Sequence, residues 1–300
     1  MEKIVEILKF RNELAESVNE ALGVSNDVWN MSLNLRQQIL SDLKKRPSVK
    51  ISEGVFVKTG ELYTTFLNKP LTVEYQYVNF LDKTVYAEKS RQISLKRNLY
   101  NKSLNLLTLH IISISGNIDE TSLVDTIQHE LHHNFQESES GLDFANIPLY
   151  QKALRLKQFD EDTLQYNIGD ILYITFKHEI EAYANGLFAY LVTKYNQGYR
   201  DTIGLVMESE MYSMLQALRK RKTMFLKYHK TQNSKQIMKW VGMSDDKLVK
   251  RIDSADGEIV SRIGRVIAAA KEKAKVLDDF DNNVSKYTKE SVDNINNKLK

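Results

Sequence analysis

Two neighbouring segments carry the most informative patterns of this chain: LLTLHIISI at residues 106–114 and HELHH at residues 129–133. The first segment is apolar at nearly every position, which is typical of a strand buried on both faces. Gly116 follows it, and helical periodicity then predicts a helix that begins near Asp119 and carries HELHH. The sequence therefore predicts a buried strand that leads, through a short turn, into a helix with an unusual concentration of histidine.

On the N-terminal side of these segments, the sequence predicts two helices and then a small sheet. Residues 2–22 and 25–46 have apolar residues at helical spacing, and Pro47 ends the second helix. The region that follows is rich in short β-branched and aromatic runs, which are typical of strands. These runs are Gly54–Val57, Leu71–Phe80, Thr84–Tyr86 and Leu104–Ser115.

On the C-terminal side, helical periodicity predominates. One or two long helices are predicted over Asp162–Asn196, and further helices over Met207–Tyr228 and Glu258–Phe280. The predicted fold class is therefore α+β and mostly helical, with a small N-terminal sheet and a helical C-terminal region. We expect three parts: an N-terminal helical segment, a central domain that contains the two informative segments, and a C-terminal helical region, with bounds 1–48, 49–200 and 201–300.

The composition of the 300 residues excludes several kinds of site. The chain has no cysteine, so disulfides, thiolate metal sites and a cysteine nucleophile are excluded, and imidazole or carboxylate must hold any transition metal. The net charge of +3 does not favour nucleic-acid binding, and the basic run Arg219–Lys222 spreads around a helix instead of forming one stripe. The N-terminus lacks a secretory signal pattern and no apolar run could span a bilayer, so we expect a cytoplasmic protein without membrane contact.

The HELHH segment has the spacing of a metal site. On a helix, His129 and His133 lie one turn apart on the same face, close enough to bind one ion. Glu130 lies about 100° around the helix, where a carboxylate can take a proton from a zinc-bound water. An apolar stripe beside the histidines is predicted to anchor this helix in the core, and it consists of Val124, Ile127, Leu131 and Phe135.

A catalytic zinc ion normally has three protein ligands and one open position, so a third ligand is expected from another helix. The best candidate segment is FKHEIEAYAN at residues 176–185. Its His178, Glu181 and Asn185 share one stripe of the helix, which makes Glu181 the expected ligand and Asn185 a residue that orients a ligand histidine. Glu179, on a different face, is the competing third ligand, and His178 could itself coordinate the metal.

The arrangement of these motifs resembles the gluzincin metallopeptidases, in which an HExxH helix is followed by a helix with Glu-Ala and a polar residue four positions after the Glu. The resemblance covers about residues 104–195 and is confined to the motifs. It implies a zincin-like catalytic domain and zinc-dependent cleavage of peptide bonds. It also implies the roles of five residues: zinc ligands His129, His133 and Glu181, general base Glu130, and Asn185 beside the ligands.

The same resemblance assigns a role to the strand that precedes the helix. Leu104–Ser115 corresponds to the edge strand that binds extended substrate in this family. The chain also departs from the family pattern in two places. Asn185 stands where the family usually has Asp, and the long separation of His133 and Glu181 implies an insertion at about residues 139–165.

Several further side chains are candidates for hydrogen bonding to a developing oxyanion. They are His178, Tyr183, Tyr150 and Tyr173. Core packing also explains each of the three tyrosines. His132 is predicted to point away from the His129/His133 pair and to serve packing or the surface.

The predicted function is therefore zinc-dependent hydrolysis of a peptide or protein substrate, with Glu130 as general base. Two alternatives stay open. The first is a phage- or virion-associated protein, or a structural protein, that contains a zincin-like domain, since the lysine- and asparagine-rich composition is compatible with such an origin. The second is a metal-free helical binding module that uses the basic C-terminal third.

Overall fold

The computed structural model describes residues 26–90, 99–101, 104–140 and 146–298. This part of the chain contains five strands and ten helices. The strands are β1 (Val49–Ser52), β2 (Val55–Phe66), β3 (Lys69–Phe80), β4 (Leu99–Asn101) and β5 (Leu106–Ile114). The helices are α1 (Asn26–Lys45), α2 (Lys83–Lys89), α3 (Glu120–Ser140), α4 (Pro148–Leu156), α5 (Leu164–Ile174), α6 (Lys177–Asn196), α7 (Thr202–Glu208), α8 (Glu210–Tyr228), α9 (Gln232–Val241) and α10 (Asp245–Lys298).

The strands form one sheet in the order β1-β2-β3-β5-β4. β2 and β3 form a long antiparallel hairpin, and its two turn residues, Leu67 and Asn68, both have positive φ, as a tight two-residue hairpin turn requires. β3 and β5 are parallel neighbours. β4 pairs only with Leu106–Thr108 of β5.

Strand β5 is buried on one face only. Leu107, Leu109 and Ile111 are buried in the core that also contains side chains of α1 and α3. The alternating residues point to the other face, where Ile112 is 39% exposed and His110 lines a cleft. The prediction of a strand buried on both faces is wrong, because the second face of β5 borders this cleft instead of a second packed layer.

Helix α3 follows β5 and is anchored as the apolar stripe predicts. Ile127 and Leu131 are fully buried in the core that they share with β5 and α1, Val124 is buried, and Phe135 packs against the same core. On another side α3 crosses α6 closely. A Cβ atom on Gly186 of α6 would lie 2.0 Å from Oδ1 of Asp125, so glycine permits this crossing.

A second hydrophobic cluster joins α4, α5 and α6 to the C-terminal helices. Ile171 of α5, Leu187 of α6, Leu218 of α8 and Ile259 of α10 are all fully buried in it. This cluster extends on both sides of residue 200, where the sequence analysis places a domain boundary. The division into three domains stays a prediction.

The predicted α+β class and most of the predicted helices are confirmed in the described chain. One predicted strand is wrong. Thr84–Tyr86 belongs to helix α2, because Asp82 caps that helix by accepting a hydrogen bond from the Val85 backbone N–H at 2.9 Å. The helix predicted at Glu258–Phe280 is confirmed, and it forms the middle of the longer α10. The helix predicted at residues 2–22 lies outside the described residues. No helix in the described ranges combines the length and the hydropathy needed to cross a membrane.

Candidate metal centre

The two histidines of the HExxH pattern point their Nε2 atoms at each other. His129 and His133 lie one turn apart on α3, and their Nε2 atoms are 3.2 Å apart. His129 is buried and His133 is partly buried. Since a neutral imidazole has one nitrogen that accepts and one that donates, a single cation between two Nε2 atoms satisfies both of them.

The third member of the cluster is Glu179. Its Oε2 atom lies 3.5 Å from Nε2 of His133 and 3.9 Å from Nε2 of His129. Glu179 is fully buried in the first turn of α6, and its Oε2 atom has no hydrogen-bond partner. The structure thus brings together three potential metal ligands from two helices.

Glu181, the ligand expected from the sequence, lies elsewhere. Its carboxylate accepts hydrogen bonds from Gln136 Nε2 at 2.9 Å and from Arg262 at 3.0 Å, and Lys177 lies 3.6 Å away. Residues two positions apart lie about 200° apart around a helix, so only one of the two glutamates can face the His129/His133 pair, and Glu181 contacts α3 at Gln136 instead. The expectation for Glu181 is therefore corrected to its competitor, Glu179.

The donor set fits zinc. Ligand atoms bound to zinc at about 2.0–2.1 Å in a tetrahedron lie about 3.3–3.4 Å from one another. The three separations here are 3.2, 3.5 and 3.9 Å. Two imidazoles and one carboxylate also form a common ligand set of catalytic zinc sites. The two carboxylate oxygens of the buried Glu179 suit a monodentate ligand: Oε1 accepts a hydrogen bond, and Oε2 has no hydrogen-bond partner and can bind the metal.

The electrostatics of the cluster are those of a cation site. Burial would lower the pKa of His133, but the ionised Glu179 outweighs burial and raises that pKa to about 9. Burial in turn opposes the charge of Glu179, yet His133 holds its pKa well below the usual value. Burial and the neighbouring His133 lower the pKa of His129 to about 3. A divalent cation on these three atoms would take the place of the proton on His133.

A set of aromatic side chains holds the ligands in place. Tyr150 donates a hydrogen bond of 2.8 Å to Oε1 of Glu179, and Nε2 of His178 lies 3.5 Å from the same oxygen. The ring of Tyr183 packs against His129, with the ring centres 4.3 Å apart. Tyr150, named from the sequence for oxyanion binding, therefore contacts a ligand instead. This role was missed because α4 meets α6 only through tertiary packing.

Asn185 does not contact either histidine of the cluster. Its Nδ2 atom lies 3.2 Å from Nε2 of His132 and donates to the carbonyl of Glu181 at 2.9 Å. The expectation that Asn185 orients a ligand histidine is corrected, because α6 presents it to the other side of α3. His132 points away from the pair, as predicted, and is buried, where burial lowers its pKa to about 3.

A cleft of about 670 Å³ adjoins the cluster. His129 and Glu130 of α3 line it, together with His110 and Ile112 of β5 and Tyr183 of α6. His178 is buried beside Glu179, with its Nε2 atom 3.5 Å from Oε1 of that residue, and its role in binding an oxyanion stays a prediction. The HELHH helix thus presents both a potential metal ligand and a carboxylate to one open space.

The α5 and α8 walls of this cleft went unrecognised in the sequence. Asp170 and Glu210 line it, and neither belongs to a motif. Comparison with known proteins adds no assignment: no family profile, curated protein or solved structure matches this chain.

Proposed function

We propose that this chain is a zinc-dependent peptidase whose metal is held by His129, His133 and Glu179. The observation that carries the proposal is the convergence of the three ligand atoms beside a cleft that Glu130 also lines. Structural zinc sites normally have four protein ligands, whereas catalytic sites have three and an open position. Three groups converge here among the residues that the structure describes.

The chain's own residues supply the proton transfers of peptide hydrolysis. Zinc at this site would contribute a Lewis acid that lowers the pKa of water and polarises the scissile carbonyl. Glu130 accepts the proton of the attacking water and delivers it to the leaving amine. Burial and the charge of Glu179 raise the pKa of Tyr183, so its hydroxyl stays protonated and can donate a hydrogen bond to the carbonyl oxygen.

β5 forms the strand wall of the cleft, where His110 and Ile112 lie beside Glu130. The gluzincin resemblance implies that an extended substrate binds along this strand, with main-chain hydrogen bonds for affinity. The peptide would then pass Glu130 in the same cleft.

Two other functions predict different results. A phage- or virion-associated or structural protein with a zincin-like domain would bind zinc without turnover, and a metal-free helical module would bind none. The presence of Glu130 in the lining of the cleft beside the ligand His129 supports the peptidase, because metal-assisted hydrolysis needs a general base next to the metal and the substrate space.

The test is the Glu130→Gln variant, with zinc measured by elemental analysis and hydrolysis measured on a library of quenched fluorescent peptides. We expect the native chain to hold one zinc ion and to cleave peptides. The variant should keep the zinc and lose about 10²–10⁴-fold in kcat, the usual contribution of a general base. Retained hydrolysis in the variant, or a native chain that binds no zinc, would contradict the proposal.

A further inference from the structure

We propose that Glu210 makes the cleft selective for a peptide that carries a cationic nitrogen close to the scissile bond. The inference deepens the proposed function and rests on it for the position of the scissile bond. Binding of a cationic peptide to the cleft can nevertheless be measured without hydrolysis.

Glu210 lies on the helix face that forms one wall of the cleft. It is the first residue of α8, and it lines the cleft together with Ser213, Met214 and Ala217, which follow at helical spacing on the same face. The strand wall, with His110 and Ile112, belongs to the same cleft. A substrate bound against the strand wall would therefore lie within the space that the Glu210 side chain lines.

The charges on the cleft walls leave Glu210 without a counter-ion. Asp170, another acidic residue of the lining, pairs with Lys157 at 3.1 Å and with Arg221 at 3.3 Å. Lys157 is the ammonium group of the lining, and it is held between Asp170 and the ring of Tyr173. The carboxylate of Glu210, by contrast, forms no ion pair with any residue that the structure describes. The cleft therefore presents an uncompensated carboxylate to its contents.

Glu210 lies in the same cleft as the candidate metal centre. It lines that cleft together with His129, a potential metal ligand, and with Tyr183, whose ring packs 4.3 Å from that of His129. The Glu210 side chain is exposed within the cleft. A cation bound beside it would supply the counter-ion that the cleft walls lack. The cationic nitrogen thus belongs to the substrate residues next to the scissile bond.

A simpler role for Glu210 is stabilisation of its own helix, because a carboxylate in a first turn interacts favourably with the helix dipole. Ser209 already caps α8 by accepting a hydrogen bond from the Tyr212 N–H at 3.2 Å. A role confined to the helix would lower the melting temperature of a Glu210→Gln variant and leave peptide selectivity unchanged. The two roles are therefore separable by measurement.

The probe is a set of acetylated, amidated alanine pentapeptides with lysine or norleucine at the centre, because norleucine has the lysine chain without the nitrogen. Binding is measured by calorimetry on the zinc-loaded, non-hydrolysing Glu130→Gln protein. We expect the lysine peptide to bind about tenfold more tightly, as about 1.4 kcal/mol of ion pairing would give. Norleucine peptides with a free N-terminus carry a cation only on the α-amino group. Comparing their affinity with that of the acetylated lysine peptide shows whether the cleft takes its cation from an α-amino group or from a side chain.

Glu210→Gln, added to Glu130→Gln, should bring the lysine-to-norleucine ratio close to one. Glu208→Gln is the matched control, since it removes one exposed negative charge two residues away and does not line the cleft. Equal binding of both peptides, or a preference that survives Glu210→Gln, would overturn the inference. If the native chain hydrolyses peptides without a charge preference, the proposed peptidase function stands and the role of Glu210 is excluded. If the cleft binds cationic peptides selectively but the native chain hydrolyses none, the role of Glu210 in binding stands and the peptidase function is excluded.

Discussion

Glu179 and Glu181 lie on one turn of α6, yet their surroundings differ enough to assign the third ligand by substitution. Glu179 faces the two histidines, whereas Glu181 pairs with Arg262. We expect Glu179→Gln to weaken zinc binding by more than the 10–100-fold typical of a change beside a metal site, because it removes a charged ligand. Glu181→Gln should retain one zinc per chain and lose about 1 kcal/mol of stability or less. Zinc titration with a competing chelator checks both, and zinc loss confined to Glu181→Gln would reinstate the original assignment.

Tyr150 offers a second test at the scale of one hydroxyl group. Its hydrogen bond to Oε1 of Glu179 orients the carboxylate so that Oε2 faces the histidines. Tyr150→Phe should therefore weaken zinc binding by about 10–100-fold while the ring still packs. The control is Tyr190→Phe, which removes a similar bond to Glu208 outside the cluster. Equal zinc affinity in the native chain and in Tyr150→Phe would exclude the orienting role.

The crossing of α3 and α6 determines the geometry of the cluster, because each helix carries part of it. A methyl group at Gly186 would collide with Asp125, so Gly186→Ala should cost about 1–3 kcal/mol of unfolding free energy by overpacking and should also weaken zinc binding. Gly257→Ala in α10 is the opposite control, since nothing lies within 4 Å of its Cβ. It should stabilise the chain by about 0.5–1 kcal/mol. Denaturant unfolding of both variants measures the contrast, and a neutral Gly186→Ala would show that the crossing can widen freely.

The elements were more predictable from the sequence than their orientations. Helical periodicity located α3 and the pair α5–α6, and the HExxH spacing marked the candidate metal-binding face of α3. Each of these two patterns depends only on residues within a single helix, so the sequence shows it directly. The choice between Glu179 and Glu181 depends on how α6 is rotated against α3, and tertiary packing at Gly186 and the buried side chains of α6 set that rotation. The pairing of Tyr150 with Glu179 and the exposure of Glu210 to the cleft depend in the same way on contacts between distant helices.

At the scale of the whole molecule, the candidate metal centre lies where two hydrophobic clusters meet. α3 packs with the sheet and α1, whereas α6 packs with α4, α5 and the C-terminal helices. Zinc bound by His129, His133 and Glu179 would therefore cross-link the two clusters. We expect zinc at about 100 times its Kd to add about 2.7 kcal/mol of stability, with slower amide hydrogen exchange in both α3 and α6.

The Glu179→Gln variant separates this cross-link from zinc binding by the two histidines alone. Both of these residues lie on α3, so zinc held only by them could protect that helix and leave α6 unchanged. Hydrogen exchange measured by mass spectrometry with saturating zinc and with a chelator should thus show protection of α3 and α6 in the native chain, and of α3 alone in the variant. Zinc-dependent protection of α6 that persists in Glu179→Gln would mean that another group on that helix, such as His178, holds the metal.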